Sequence, residues 1–144
     1  MLIIKAALLT AAGTAGGVLA KLLGGFDHML MALIVFMAVD TISGWLAAIF
    51  FKASKKTKSG RLSSSAGFRG LVKKGCVLML VVVAVHLDGL LGTNSLTRDA
   101  VIIAFSANEL LSILENMGTM GIKLPDVLVN ALDILGKPKD VDEE

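Results

Sequence analysis

The amino-acid sequence predicts an all-α integral membrane protein. The expected architecture is a bundle of three to four transmembrane helices followed by a short C-terminal amphipathic helix. Three observations carry this. The 144 residues are 55% hydrophobic and 18% charged, with a mean hydropathy of +0.78, far on the apolar side for a soluble domain. Several apolar runs approach the ~20 residues a helix needs to cross hydrocarbon. Lys and Arg are concentrated in one connection between such runs, as cytoplasmic loops require. The apolar segments lie too close together for two separate cores, so residues 1–135 read as a single membrane domain.

The first candidate span is 2–23, with Lys5 and Lys21 near its ends, where their stems can lie along apolar surface and their charges reach headgroups. Its alternative is a signal peptide, with Lys5 as a thin basic region and Ala/Gly cleavage sites beyond. Gly13 and Gly17 form a G-x-x-x-G pair, and Ala12 and Gly16 repeat the small-residue spacing beside it. Such a face lets two helices pack closely in lipid, although small residues are common in membrane helices in any case.

The second span, 29–51, is the clearest, with Asp27 and His28 at its polar entrance. Asp40 stands in the middle of its run. A carboxylate at the centre of a spanning helix costs about 2.5–3.5 kcal/mol on insertion scales. Asp40, Gly44 and Ala48 are spaced by four and adjoined by Ser43 and Ala47, so the acid shares the small-residue face. That placement predicts that Asp40 faces protein or water. Candidate partners are His86, a lysine of another span, or polar groups of a neighbouring subunit.

Residues 52–74 carry Lys52, Lys55, Lys56, Lys58, Arg61, Arg69, Lys73 and Lys74 with no Asp or Glu, among serines and glycines typical of a loop. These cations fix orientation and suit anionic lipid. Nucleic-acid binding is the competing reading, but no aromatic platform accompanies the charge. The third span, 75–91, is Val-rich, and in a bilayer the need to satisfy every backbone group overrides the weak helix preference of β-branched residues.

The fourth segment, 99–117, is apolar in its first half. In its second half Asn108, Glu109, Ser112, Glu115 and Asn116 share one helix side. It is either a span with a polar stripe or an amphipathic helix at the interface, and Gly118 and Gly121 are expected to end it. Pro125 then suits the first turn of an amphipathic helix over 125–135, and 136–144 is a charged tail.

Enzymatic chemistry is not indicated. No G-x-S-x-G, P-loop or H-E-x-x-H pattern occurs. His28 and His86 lack partners at metal-ligand spacing, and Cys76, the single cysteine, has no intrachain partner. No catalytic residue, metal or cofactor is therefore expected. With four spans the N-terminus, the basic loop and the C-terminus are cytoplasmic; without the first, only the N-terminus changes side.

An Asp-containing span ending "DTISGWLAAIF" leads into S-S-x-G-x-x-G-x-x-K-K at 64–74, a Val-rich span with a late acid, and "NELLSILEN" followed by "GIKLP". This order resembles the phage holin and toxin-secretion family, which includes the clostridial toxin-release holins, over roughly residues 29–135. The resemblance implies a phage-encoded or phage-derived inner-membrane protein that forms homo-oligomers, opens lesions, and lets a cytoplasmic endolysin or a toxin pass out. The family is usually described with three spans, and this chain offers a fourth. The competing classes are a small ion channel or transporter subunit, and a non-permeabilising scaffold of a secretion or lysis complex.

Overall fold

A computed structural model describes residues 1–53, 58–61 and 63–136. Lys55, Lys56 and the tail from 137 onward lie outside the described residues. The described chain is all-α: α1 (Leu2–Leu22), α2 (His28–Phe50), α3 (Ser64–Leu91), α4 (Leu96–Thr119) and α5 (Asp126–Gly136). The first four are each long and apolar enough to cross a membrane.

Local chemistry sets several helix ends. Asp27 caps α2, its carboxylate accepting from the Leu30 amide at 2.9 Å. Gly24 and Gly25, at φ +81° and +104°, take the left-handed backbone that turns α1 toward α2. Gly92 closes α3 in the same conformation, with its amide donating to the Asp88 carbonyl at 2.8 Å.

Two boundaries differ from the sequence reading. The expected loop over 52–74 is shorter, because α3 begins at Ser64 and carries Arg69, Lys73 and Lys74 on helix. Glycine costs about 1 kcal/mol in a helix, but extending an existing span adds one hydrogen bond per residue without a new nucleus. Gly67 also faces Trp45 of α2: a Cβ there would lie 3.8 Å from the indole nitrogen. At the other end, Gly118 lies inside α4, and Gly121, at φ +79°, follows the break.

The core is a three-helix packing of α2, α3 and α4. Leu30, Leu33 and Met37 from α2 meet Val81 from α3 and Ile102 from α4, with Val77, Leu78, Val101 and Phe105 around them. Asp27 meets Arg98 and Asp40 meets Ser112, so α2 and α4 run in the same direction. Asp88 meets the Arg98 amide and Lys74 meets Glu109, so α3 runs opposite to both.

Helix α1 stands apart. None of its residues is buried, and nothing lies within 4 Å of a Cβ built on Gly13, Gly16 or Gly17. Its hydroxyls are nonetheless satisfied: Thr10 donates to the Ala6 carbonyl at 2.9 Å and Thr14 to the Thr10 carbonyl at 2.8 Å. Such internal bonding suits a helix surrounded by lipid. Helix α5 packs against α4 and leaves Val127 and Ile134 largely exposed.

Candidate functional site: two charged levels in one bundle

Two groups of charged side chains lie on the bundle at opposite sides of the apolar core. Thirteen residues separate Asp27 from Asp40 on α2, which places the two levels about 20 Å apart along the helix.

The Asp40 level lies toward the basic end. Asp40 is buried, with 4% of its side chain exposed. The Lys74 ammonium donates to Asp40 Oδ2 at 2.8 Å and also to Glu109 Oε2, so α3 supplies one cation to acids on α2 and α4. Ser112 donates to Asp40 Oδ1, and the Asn116 amide donates to Asp40 Oδ1 at 3.1 Å and Ser43 Oγ at 2.9 Å. Ser43 donates to the Asp40 carbonyl at 3.1 Å. Every buried side-chain nitrogen or oxygen among the described residues has a hydrogen-bond partner. Burying charge is tolerable only on such terms.

This arrangement narrows the expectations for Asp40. Its partners come from the same chain: a lysine, together with Ser112 and Asn116. His86 is elsewhere, its Nδ1 lying 2.8 Å from the Val82 carbonyl on the same helix. Lys74, grouped by sequence with the cations that set topology, reaches the intramembrane acids instead. Gly44 faces Asn116, whose Nδ2 would lie 3.5 Å from an added Cβ, and Ala48 is buried. The Asp40–Gly44–Ala48 face is therefore covered within the monomer. The polar stripe of α4 divides: Glu109, Ser112 and Asn116 join the cluster, whereas Asn108 and Glu115 are exposed.

The second level is centred on Arg98, at the start of α4. Its side chain is 3% exposed. The guanidinium grips Asp27 with both nitrogens, Nη1 to Oδ2 at 2.7 Å and Nη2 to Oδ1 at 3.1 Å. Nη1 also donates to Asp99 at 3.0 Å, Nη2 to the Gly25 carbonyl at 3.1 Å, and Nε to the Leu23 carbonyl at 2.8 Å. All five guanidinium donors are used. A Cβ on Gly24 would come within 2.9 Å of Arg98 Nε, so glycine is needed where the arginine passes. The bond with Arg98 holds the Asp27 carboxyl down from 3.8 to about 2, against the smaller opposing effect of burial.

Asp88 completes this level. Its carboxylate accepts from the Thr97 amide at 2.9 Å, the Arg98 amide at 2.8 Å and the Thr93 hydroxyl. It thereby satisfies the free amides at the start of α4. Ser95, the local N-cap, sits at φ +69° and makes no side-chain capping bond. Sequence reasoning assigned Arg98 no role. The signal was present: Arg98 is the sole Lys or Arg between Lys74 and Lys123.

Comparison with known proteins agrees with the resemblance drawn from the motifs. Residues 17–137 match the bacteriophage holin family. An uncharacterised protein of Listeria monocytogenes is 43% identical over 90% of this chain and 86% of its own length. A 14.9 kDa protein of Clostridium perfringens, from the nagH 3′ region, is 36% identical over 81% of this chain and 83% of its own. A protein of Bacillus phage phi105 named as a probable holin is 30% identical over 75% of this chain and 74% of its own. No solved structure matches. With four helices suited to crossing a membrane and a family match across most of its length, the chain is a multi-pass membrane protein belonging to the bacteriophage holin family, which is not an enzyme family.

Proposed function

We propose that this protein is a holin of the bacterial cytoplasmic membrane that oligomerises and opens lesions through which a cytoplasmic endolysin or an exported toxin leaves the cell. The observation that carries this reading is the closure of Asp40, Lys74, Glu109, Ser112 and Asn116 on one another inside a single chain. A polar stripe destined to line water must be hidden from lipid until water arrives. In the monomer it is hidden by pairing across three helices, so copies can accumulate without presenting charge to hydrocarbon. Parting the cluster in a dry bundle leaves charges uncompensated. Parting it beside an aqueous interior does not, because water solvates each group, so an opening once begun stabilises itself.

The unburied α1, with Gly13 and Gly17 on it, supplies a surface for contact between copies. The face bearing Gly44 and Ala48 is already occupied by α4. The described cations Lys52, Lys58, Arg61, Arg69 and Lys73 favour a cytoplasmic basic connection, and four spans then put both termini on that side.

The test is induction in bacteria that also make a murein hydrolase lacking a signal sequence, with viability, membrane potential and hydrolase release followed together. A delayed, abrupt collapse with release is expected. Insertion with continued growth and no release overturns the reading. Asp40→Asn and the double change Ser112→Leu/Glu115→Leu are each expected to shift lysis time, and if both leave time and extent untouched the cluster has no part in opening.

A further inference from the structure

A cleft of about 450 Å3 opens beside the inner cluster, with Arg69, Gly70, Lys73 and Lys74 of α3 on one side and Asp40 and Glu109 deeper in. The two acids are engaged by Lys74. Arg69 and Lys73 make no ion pair among the described residues; the Arg69 Nε only reaches the Ser65 carbonyl of its own helix, at 3.3 Å. The cleft therefore holds three cations against two acids, and the two uncommitted cations are one helical turn apart on the same face.

Helix length gives the depth of this cleft. At 28 residues α3 is about 42 Å long, whereas hydrocarbon is about 30 Å thick. With Leu91 at one boundary, the other falls about 20 residues earlier, near Leu71. Arg69 and Lys73 straddle that boundary. Seven and fourteen residues beyond Lys73, on the same side of α3 and toward the membrane centre, Leu80 and Leu87 are exposed, at 49% and 39%. A cationic cleft at headgroup depth with an apolar border fits an amphiphile that is anionic at one end.

We infer that the cleft between the N-terminal half of α3 and the Asp40–Glu109 pair binds the phosphate of an anionic phospholipid, with Arg69 and Lys73 as its ligands and the acyl chains along the exposed apolar side chains of α3. Soluble phosphate shares the anionic chemistry, but it makes no use of the apolar border. The inference concerns the monomer in the bilayer and stands apart from the lysis reading.

Trp45 is the single tryptophan, and it lies against Gly67, one turn from Gly70. Its fluorescence therefore reports on lipid at this cleft. The full chain is placed in phosphatidylcholine vesicles containing a fixed minor fraction of phosphatidylglycerol, with bromine on an equal amount of one lipid or the other. Brominated phosphatidylglycerol is expected to quench Trp45 severalfold more than brominated phosphatidylcholine. Arg69→Gln/Lys73→Gln is expected to abolish the excess. Lys52→Gln/Lys58→Gln, which removes the same charge outside the cleft, and Arg69→Lys/Lys73→Arg, which keeps the charge within it, are expected to retain it. Equal quenching by the two lipids overturns the inference. So does equal loss in the two glutamine variants, which marks diffuse attraction, or loss in the charge-conserving variant. Abolition of the excess by inorganic phosphate in the buffer assigns the cleft to a soluble anion and overturns it as well.

Discussion

The Arg98 level and the Lys74 level each place one cation between two acids, and they are built for different ends. Arg98 presents a planar fork with every donor used, and two of its five bonds go to the carbonyls of Leu23 and Gly25. Its acids, Asp27 and Asp99, are 47% and 37% exposed, so water solvates their outer oxygens. Lys74 presents a compact ammonium on a flexible stem, and it donates to carboxylates on two other helices. Its acids, Asp40 and Glu109, are only 4% and 13% exposed. An arginine tied to backbone cannot leave without undoing the turn it holds; a lysine tied to side chains can leave by rotamer change. The contrast teaches that charge at a bundle end can staple connections through backbone, while charge within it can be satisfied by side-chain contacts between helices.

The largest effect is expected from removing the staple. Arg98→Met strands Asp27 and two loop carbonyls, and should cost about 5 kcal/mol, the upper end for breaking a buried pair, read as thermal unfolding of the detergent-solubilised chain. A loss no greater than that of an exposed residue would erase the distinction between the levels.

Next is the inner cluster. Lys74→Met leaves two carboxylates facing each other and should cost about 3 kcal/mol. The triple change Lys74→Met/Asp40→Asn/Glu109→Gln should recover most of that, because nothing charged remains to be compensated. Failure of the triple variant to recover would mean that Lys74 acts through packing of its stem and not through charge.

A smaller effect sharpens the outer level alone. Gly24→Ala puts a Cβ at a left-handed φ and within 2.9 Å of Arg98 Nε and Val85 Cγ2, at a cost of about 2 kcal/mol. In combination with Arg98→Met the penalty should shrink, since part of the clash is gone.

The smallest effect is a pH dependence. The folded-state pKa of Asp27 lies below its ordinary value, so its stabilisation is fully present above pH 3.8 and is lost as pH falls through about 2. The difference in unfolding temperature between the wild type and Asp27→Asn should therefore be constant at neutral pH and narrow within that acid window. Solvent screening of this half-exposed group keeps the difference small.

Much of this protein follows from local sequence. Runs of apolar side chains long enough for a bilayer, the glycines near helix ends and the Asp27 cap are properties of neighbouring residues, and they yielded the all-α membrane bundle and nearly all its elements. The unusual position of Asp40 was legible too, because an acid in an apolar run is conspicuous whatever surrounds it, and Glu109 was legible as part of a polar stripe. What satisfies those acids was not legible. Lys74 is 34 residues from Asp40 and 35 from Glu109, and Arg98 is 71 from Asp27. Such pairings depend on the register in which α2, α3 and α4 pack, and hydrophobic periodicity specifies a face without specifying a register. The start of α3 at Ser64 has the same origin. Serine and glycine locally favour a loop, and only an existing span below them and Trp45 beside Gly67 turn that stretch into helix. Tertiary packing thus decided that one cation of the basic stretch, Lys74, is drawn inside to meet the acids.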